Sequence, residues 1–302
     1  MKPSWHGVYP VLTTKFKADG SLDLPLFIKN LKAQMEAGVE GVILGGSLGE
    51  ASTLTREDKM LLLRATLGVA EDKIPVVVNI AERAASAAIA VAQEAQEQGA
   101  NGLMLLPPMQ YKSTERETLD FFIDVAKSTD LPILIYNNPV DYKIEVSPKM
   151  FDELLKYDNI EAVKESTRDV TNVTRLINRF GEDRLKILCG VDTIAMEALV
   201  MGAHGWVAGL VCAFPRETVA IYRLVKAGRI EEARAIHRWF LPILELDISP
   251  QLVQNIKLAE VMTGLGSEHV RRPRQPLQGA ERERVIAILK EGLATRPFFN
   301  EQ

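Results

Sequence analysis

The sequence is poor in the residues that cross-link chains or hold metals. It has two cysteines, Cys189 and Cys212, which form no CxxC pair and sit in apolar runs with no histidine or cysteine nearby. Neither a disulfide framework nor a thiolate metal site is encoded, and the pair reads as buried free thiols of a reducing cytoplasm. The four histidines, His6, His204, His237 and His269, are scattered and build no ligand cluster, so a metal-dependent aldolase is disfavoured and no metal or cofactor is called for. No stretch approaches the roughly 18 uninterrupted apolar residues of a membrane span, and the segment 1–10 lacks the apolar core of an export signal. A net charge of -4 without long like-sign runs leaves no footprint for nucleic acid or an anionic membrane. The one basic cluster, Arg271, Arg272 and Arg274, is short and reads as a solvated loop or a subunit contact.

What is present is ordinary globular material: 302 residues, 47% hydrophobic and 25% charged. Short runs rich in Val, Ile and Leu alternate with longer helical patterns, which argues for repeated βα units and a parallel sheet. The runs are 7–13, 39–45, 74–80, 102–106, 132–136, 160–164, 185–189 and 206–209. Glycine pairs introduce three of them alike: Gly38 with Gly41, Gly99 with Gly102, Gly202 with Gly205. The first of each pair suits a helix C-terminus. Thr55 before Arg56-Glu57-Asp58, and Ser147 before Pro148, are helix start signals. Eight such units predict a (β/α)₈ barrel, a doubly wound open sheet being the alternative. Residues 1–214 are read as the barrel core through strand eight. Residues 215–302 are read as the last barrel helix and a helical extension, with helical patterns at 217–227, 230–244, 251–263 and 280–293.

In parallel βα architectures the reacting groups sit at the C-terminal ends of strands. Two runs end unusually: Ile133-Leu134-Ile135 in Tyr136, and Ile160-Glu161-Ala162-Val163 in Lys164. Strand alternation puts Leu134, Tyr136, Ala162 and Lys164 on one face, so the phenol and the amine point into the barrel at one level, roughly 5 Å apart. Burial disfavours an ammonium, which frees the amine as a nucleophile, and a phenol beside it can move protons. The plainer alternatives are a lysine snorkelling from a strand end and a tyrosine filling the core. A third element, Gly45-Gly46-Ser47-Leu48-Gly49-Glu50, ends the second run. Its glycines let backbone N–H groups approach an anion; it matches neither a P-loop nor a dinucleotide fingerprint, and a tight turn is the structural alternative.

These elements, in this order and over nearly the whole chain, resemble the dihydrodipicolinate synthase and N-acetylneuraminate lyase family of class I aldolase-type barrels. The resemblance rests on Gly46-Ser47-Leu48-Gly49-Glu50, on Tyr136-Asn137-Asn138-Pro139 and on Val163-Lys164-Glu165, with Cys189-Gly190-Val191-Asp192 and Gly205-Trp206-Val207-Ala208-Gly209 following. It implies that Lys164 forms a Schiff base, that Tyr136 and Ser47 relay protons, and that Gly46, Ser47 and Leu48 hold the carboxylate of a 2-oxo acid. Gly190 and Val207 would offer backbone contacts near the imine. It also implies a homotetramer built as a dimer of dimers.

Four positions, at three places, depart from the synthase pattern. Ser47 and Leu48 replace two adjacent threonines, and Gln110 falls where the synthases place a second tyrosine donated across a subunit interface. Asp141 stands where an arginine would bind the carboxylate of aspartate semialdehyde. An aspartate there repels that carboxylate and suits hydroxyl or nitrogen donors. The departures favour a dehydratase or deaminase branch, with 4-hydroxy-pyrroline-2-carboxylate deamination as the specific expectation. The alternatives are 4-hydroxy-tetrahydrodipicolinate synthase or another pyruvate-dependent aldolase, and a non-catalytic ligand-binding homologue.

Overall fold

The computed structural model describes residues 1–108 and 111–298. Eight parallel strands form one sheet in the order β1-β8-β7-β6-β5-β4-β3-β2. They are β1 Gly7–Pro10, β2 Val42–Leu44, β3 Val76–Ile80, β4 Gly102–Leu105, β5 Ile133–Asn137, β6 Ile160–Glu165, β7 Lys186–Cys189 and β8 Gly205–Ala208. The seam closes where Val11 bridges Ile43 in parallel and the Leu12 N–H donates to the Ile43 carbonyl at 3.0 Å. The result is a (β/α)₈ barrel with C-terminal helices. Each strand is wrapped on both faces, so its residues are almost all buried, as in Val76-Val77-Val78-Asn79-Ile80. That is why the runs read as continuous apolar segments rather than alternating ones.

The helices are α1 Leu24–Ala37, α2 Arg56–Ala70, α3 Ala85–Glu97, α4 Glu115–Lys127, the single turn α5 Pro139–Tyr142, and α6 Pro148–Leu154. They continue with α7 Thr171–Arg184, α8 Ala195–Val200, α9 Pro215–Lys226, α10 Ile230–Leu244, α11 Leu252–Met262 and α12 Gly279–Ala294. Thr55 caps α2 as read, and with Asp58 forms a reciprocal capping box. Ser147 accepts from the Met150 N–H ahead of Pro148. The glycine pairs have a steric logic. Gly38 ends α1 in the left-handed region, φ 84°, while a side chain at Gly41 would meet the Tyr9 ring at 2.3 Å. No helix among the described residues is long and apolar enough to cross a membrane.

Of the basic cluster expected as a solvated loop or a subunit contact, Arg272 is exposed, while Arg271 and Arg274 are half-buried and tied to neighbouring segments. The Arg271 backbone N–H donates to Glu50, and its guanidinium bonds the carbonyls of Gly20 and Thr53 and pairs with Asp58. Arg274 reaches Ser52. A guanidinium offers five donors in a fixed fork, and three chain segments converge here to use them. Beneath it lies a layer of fully buried charge: Lys257 on α11 pairs with Glu50 at 2.5 Å, and Lys15 with Glu260 at 2.9 Å. Glu50 itself sits in the left-handed region, φ 60°, at the end of the Ser47 loop. The extension therefore grips that loop through charges that water does not reach.

Lys257→Met would leave the Glu50 carboxylate buried without its closest cation. The expected cost is about 3–5 kcal/mol of folding free energy. Urea unfolding of the variant measures it, and a loss below about 1 kcal/mol would show that this pair does not hold the extension to the barrel.

Candidate active site

The register brings the two strand-end groups together, because Tyr136 on β5 and Lys164 on β6 are direct pairing partners. The Lys164 Nζ lies over the Tyr136 ring, 4.0 Å from its centroid. Lys164 is 7% and Tyr136 6% exposed. Among the described residues no carboxylate forms a salt bridge with that amine. Burial lowers the Lys164 pKa below its ordinary 10.5, opposed by the charges of Tyr142, Asp247 and Asp192. Burial likewise pushes the Tyr136 phenol up to about 12, so it holds its proton at neutral pH. A snorkelling lysine is thereby excluded.

Both groups line a cavity of about 680 Å³ at the C-terminal mouth of the barrel. Ser47, Leu48, Asp141, Gly190 and Val207 also line it. Gly46 does not; it lies behind the wall, where a side chain would meet Val11 Cγ1 at 2.6 Å. Gln110 lies outside the described residues. Gly190 leaves room for the amine's stem, since a Cβ there would fall 2.6 Å from Lys164 Cε and 2.2 Å from Ser166 Oγ. In the loop after β2, the Glu50 N–H closes onto the Ser47 carbonyl and the Ala51 N–H onto the Gly46 carbonyl. Among the described residues the N–H groups of Ser47 and Leu48 have no acceptor, a pair of free donors at the cavity wall.

Several groups in the cavity escaped the reading of the sequence. Tyr142 closes α5, and its hydroxyl stands 2.5 Å from Ser47 Oγ while its ring meets Tyr136 edge-on, centroids 5.5 Å apart. A signal existed: Asn138 caps a turn opened by Pro139, which folds a tyrosine six residues on back beside the first. Ser166 is 2% exposed and its hydroxyl has no partner among the described residues. Asp247 comes from the turn after α10, and nothing local in the sequence points to it. Two cations also reach the mouth, Arg168 and Arg274. Arg168 stands 3.6 Å from Asp141, whose other oxygen accepts from Asn138 Nδ2 at 2.7 Å. Asp141 therefore has a cation and an amide donor facing it. The cysteines are buried and free, and burial pushes each thiol up to about 12.

An eight-stranded parallel barrel carrying an unpaired, desolvated amine at its mouth is the frame of a class I Schiff-base lyase. The model of the Dihydrodipicolinate synthetase family matches residues 4–292, and the chain belongs to that family. It is 28% identical over 285 residues to the 4-hydroxy-tetrahydrodipicolinate synthase of Methanothrix thermoacetophila, covering 94% of this chain and 96% of that one. Among solved structures it is similar to the synthase of that name from Methylacidiphilum fumariolicum SolV, with a TM-score of 0.89, 28% identity, and 96% and 97% of the chains covered. It is also similar to YagE, a prophage protein of E. coli K12 solved in complex with pyruvate. There the TM-score is 0.90 and the identity 26%, with 96% and 99% covered.

The lowered pKa of Lys164 carries a cost in stability. Below 10.5 the unfolded chain holds a proton that the folded site disfavours, so the penalty grows as pH falls toward the folded value and vanishes above 10.5. Lys164→Met is expected to raise the urea midpoint at pH 7 and to raise it less at pH 10. Equal or lowered midpoints at both pH values would contradict a desolvated amine.

Proposed function

We propose that the Lys164 amine condenses with the carbonyl of a 2-oxo acid, or with the imine carbon of a cyclic imino acid, while the free N–H groups of Ser47 and Leu48 hold its carboxylate. The observation that carries this reading is an amine 4.0 Å from the centroid of a phenol ring, with no carboxylate among the described residues in a salt bridge to it. The similar E. coli protein solved with pyruvate supports a 2-oxo acid as the partner. Protons pass between amine and substrate through Tyr136, with Tyr142 and Ser47 continuing the line of hydroxyls outward. Once formed, the iminium draws electrons from C2, a C3 proton leaves, and the enamine can expel a C4 substituent or make or break a C3–C4 bond.

For the second half of the reaction we propose an elimination on a substrate with a hydroxyl or nitrogen substituent, with 4-hydroxy-pyrroline-2-carboxylate deamination its narrowest form. Asp141 in the wall favours such donors over a second carboxylate. The competing reading is 4-hydroxy-tetrahydrodipicolinate synthase, and two observations favour it. The curated relative and the solved neighbour quoted above carry that name, and Arg168 and Arg274 could receive the carboxylate of an aldehyde acceptor. The comparisons and the two arginines weigh toward the synthase, and Asp141 toward elimination.

Borohydride reduction with pyruvate and with a panel of 2-oxo and cyclic imino acids, followed by mass spectrometry, is expected to fix an adduct on Lys164. Lys164→Ala is expected to lose both adduct and turnover. Ammonia release from the hydroxylated imine, against consumption of pyruvate with aspartate semialdehyde, separates the two readings. A wild-type protein that binds pyruvate without a reducible adduct would be a ligand-binding homologue instead.

A further inference from the structure

Two carboxyl groups lie beside the Lys164 amine, and their surroundings differ. Asp192, at the end of β7, is saturated with donors: Trp206 Nε1 at 2.9 Å, the Gly209 N–H at 3.1 Å and the Leu210 N–H at 2.8 Å. Burial raises the Asp192 pKa, and these three N–H groups together with the Lys164 charge pull it back toward the carboxylate. Among the described residues Asp247 has no such set of donors, and the backbone N–H of Asp192 is what approaches its carboxyl. It sits in the 3₁₀ turn Glu245–Ile248 that the extension lays over the mouth, packed on the turn Asp192–Ile194. Both carboxyls crowd the end of β8. A Cβ on Gly209 would lie 2.8 Å from Asp247 Oδ1 and 3.5 Å from Asp192 Oδ2, so a glycine is what lets them share the site.

Two carboxylates this close cannot both ionise cheaply, and the one without donors takes the proton. Burial, then the Asp192 charge, raises the Asp247 pKa to about 8, while Lys164 opposes the shift. Asp247 thus presents a neutral carboxylic acid to the cavity, and the amine chemistry proposed above does not use it. Tyr136 flanks the amine on β5 and Ser47 lines the wall beyond it; Asp247 overhangs from the β7–β8 side.

We propose that Asp247 is the acid that gives a proton to the heteroatom on C4 of the substrate held at Lys164, which makes the C-terminal extension part of the catalytic centre. The proposal rests on the Lys164 imine and holds for either second half-reaction. Imine formation joins the Lys164 nitrogen to C2, and the C2 oxygen leaves as water with a proton from Tyr136. The Tyr136 phenolate then takes a C3 proton, giving the neutral enamine. In elimination the enamine pair forms the C3–C4 double bond, the C4–O bond breaks, and the departing oxygen takes the Asp247 proton and leaves as water. In condensation C3 bonds to an aldehyde carbon, and the oxygen that becomes the C4 hydroxyl takes the same proton. Hydrolysis of the iminium returns a proton to the Asp247 carboxylate and frees the amine.

The test compares leaving groups. Asp247→Asn and the wild type are given pyruvate in D2O, a 4-hydroxy-2-oxo acid, and its 4-fluoro analogue. Exchange of the pyruvate methyl hydrogens, read by NMR, needs the imine and enamine but no C4 heteroatom, and is expected to stay within about threefold of wild type. Loss of fluoride, which departs as an anion without a proton, is expected to survive equally. Turnover of the 4-hydroxy acid is expected to fall at least about a hundredfold, the scale of a lost general acid. Gly209→Ala, which displaces the carboxyl without removing it, is expected to show the same selective loss should Asp247→Asn fold poorly. Equal losses on the hydroxyl and fluoro substrates, or no loss on either, would overturn the proposal. No methyl exchange in the wild type would instead overturn the Lys164 imine, and the acid role with it.

Discussion

The structure depends on keeping one amine dry and unpaired. A lysine inside a barrel normally finds a carboxylate, because an isolated buried ammonium is expensive. Here the amine of Lys164 rests against the face of Tyr136, and of the nearby carboxyls Asp192 is engaged by three N–H groups while burial raises the pKa of Asp247 to about 8. The environment stabilises the free amine by denying it an anion to pair with. That arrangement costs folding stability at neutral pH and yields a nucleophile in return, the exchange that recurs where function overrides stability.

Charges buried elsewhere in the protein are handled in the opposite way. Lys257 with Glu50 and Lys15 with Glu260 are paired, hydrogen-bonded and inaccessible, and they lie where the extension meets the Ser47 loop. The free N–H groups of Ser47 and Leu48 keep their aim because the loop's other end, Glu50, is clamped by α11 and by Arg271. The extension thus acts on the cavity twice, by bracing one wall from behind and by hanging Asp247 over the opposite rim. Family membership accounts for the barrel and the amine. The acidic rim of Asp141 and Asp247, set against Arg168 and Arg274, is where this chain would choose its substrate.

The barrel, its eight strands and the placement of Tyr136 against Lys164 were legible in the chain because they follow from local rules. Apolar runs of strand length between capped helices specify βα units, and an even spacing along two strands specifies which side chains share a face. The strand ends were less legible: the second run, read as 39–45, pairs as a strand only over Val42–Leu44. Residues flanking a strand are as apolar as those within it when both are buried, so composition does not mark where the ladder stops.

What the sequence by itself determined is the architecture and the identity of the two strand-end groups, since both are fixed by periodicities of two and 3.6 residues that any reader can count. Only the tertiary structure decided the rest. Arg271 of the basic cluster became a half-buried anchor because Gly20, Thr53 and Asp58 converge on it from distant parts of the chain. Asp247 entered the cavity because the path of α10 carries it there, and burial, then the Asp192 charge beside it, raises its pKa. Protonation and pairing are set by what lies within a few ångströms in space, and spacing along the chain carries no record of that distance.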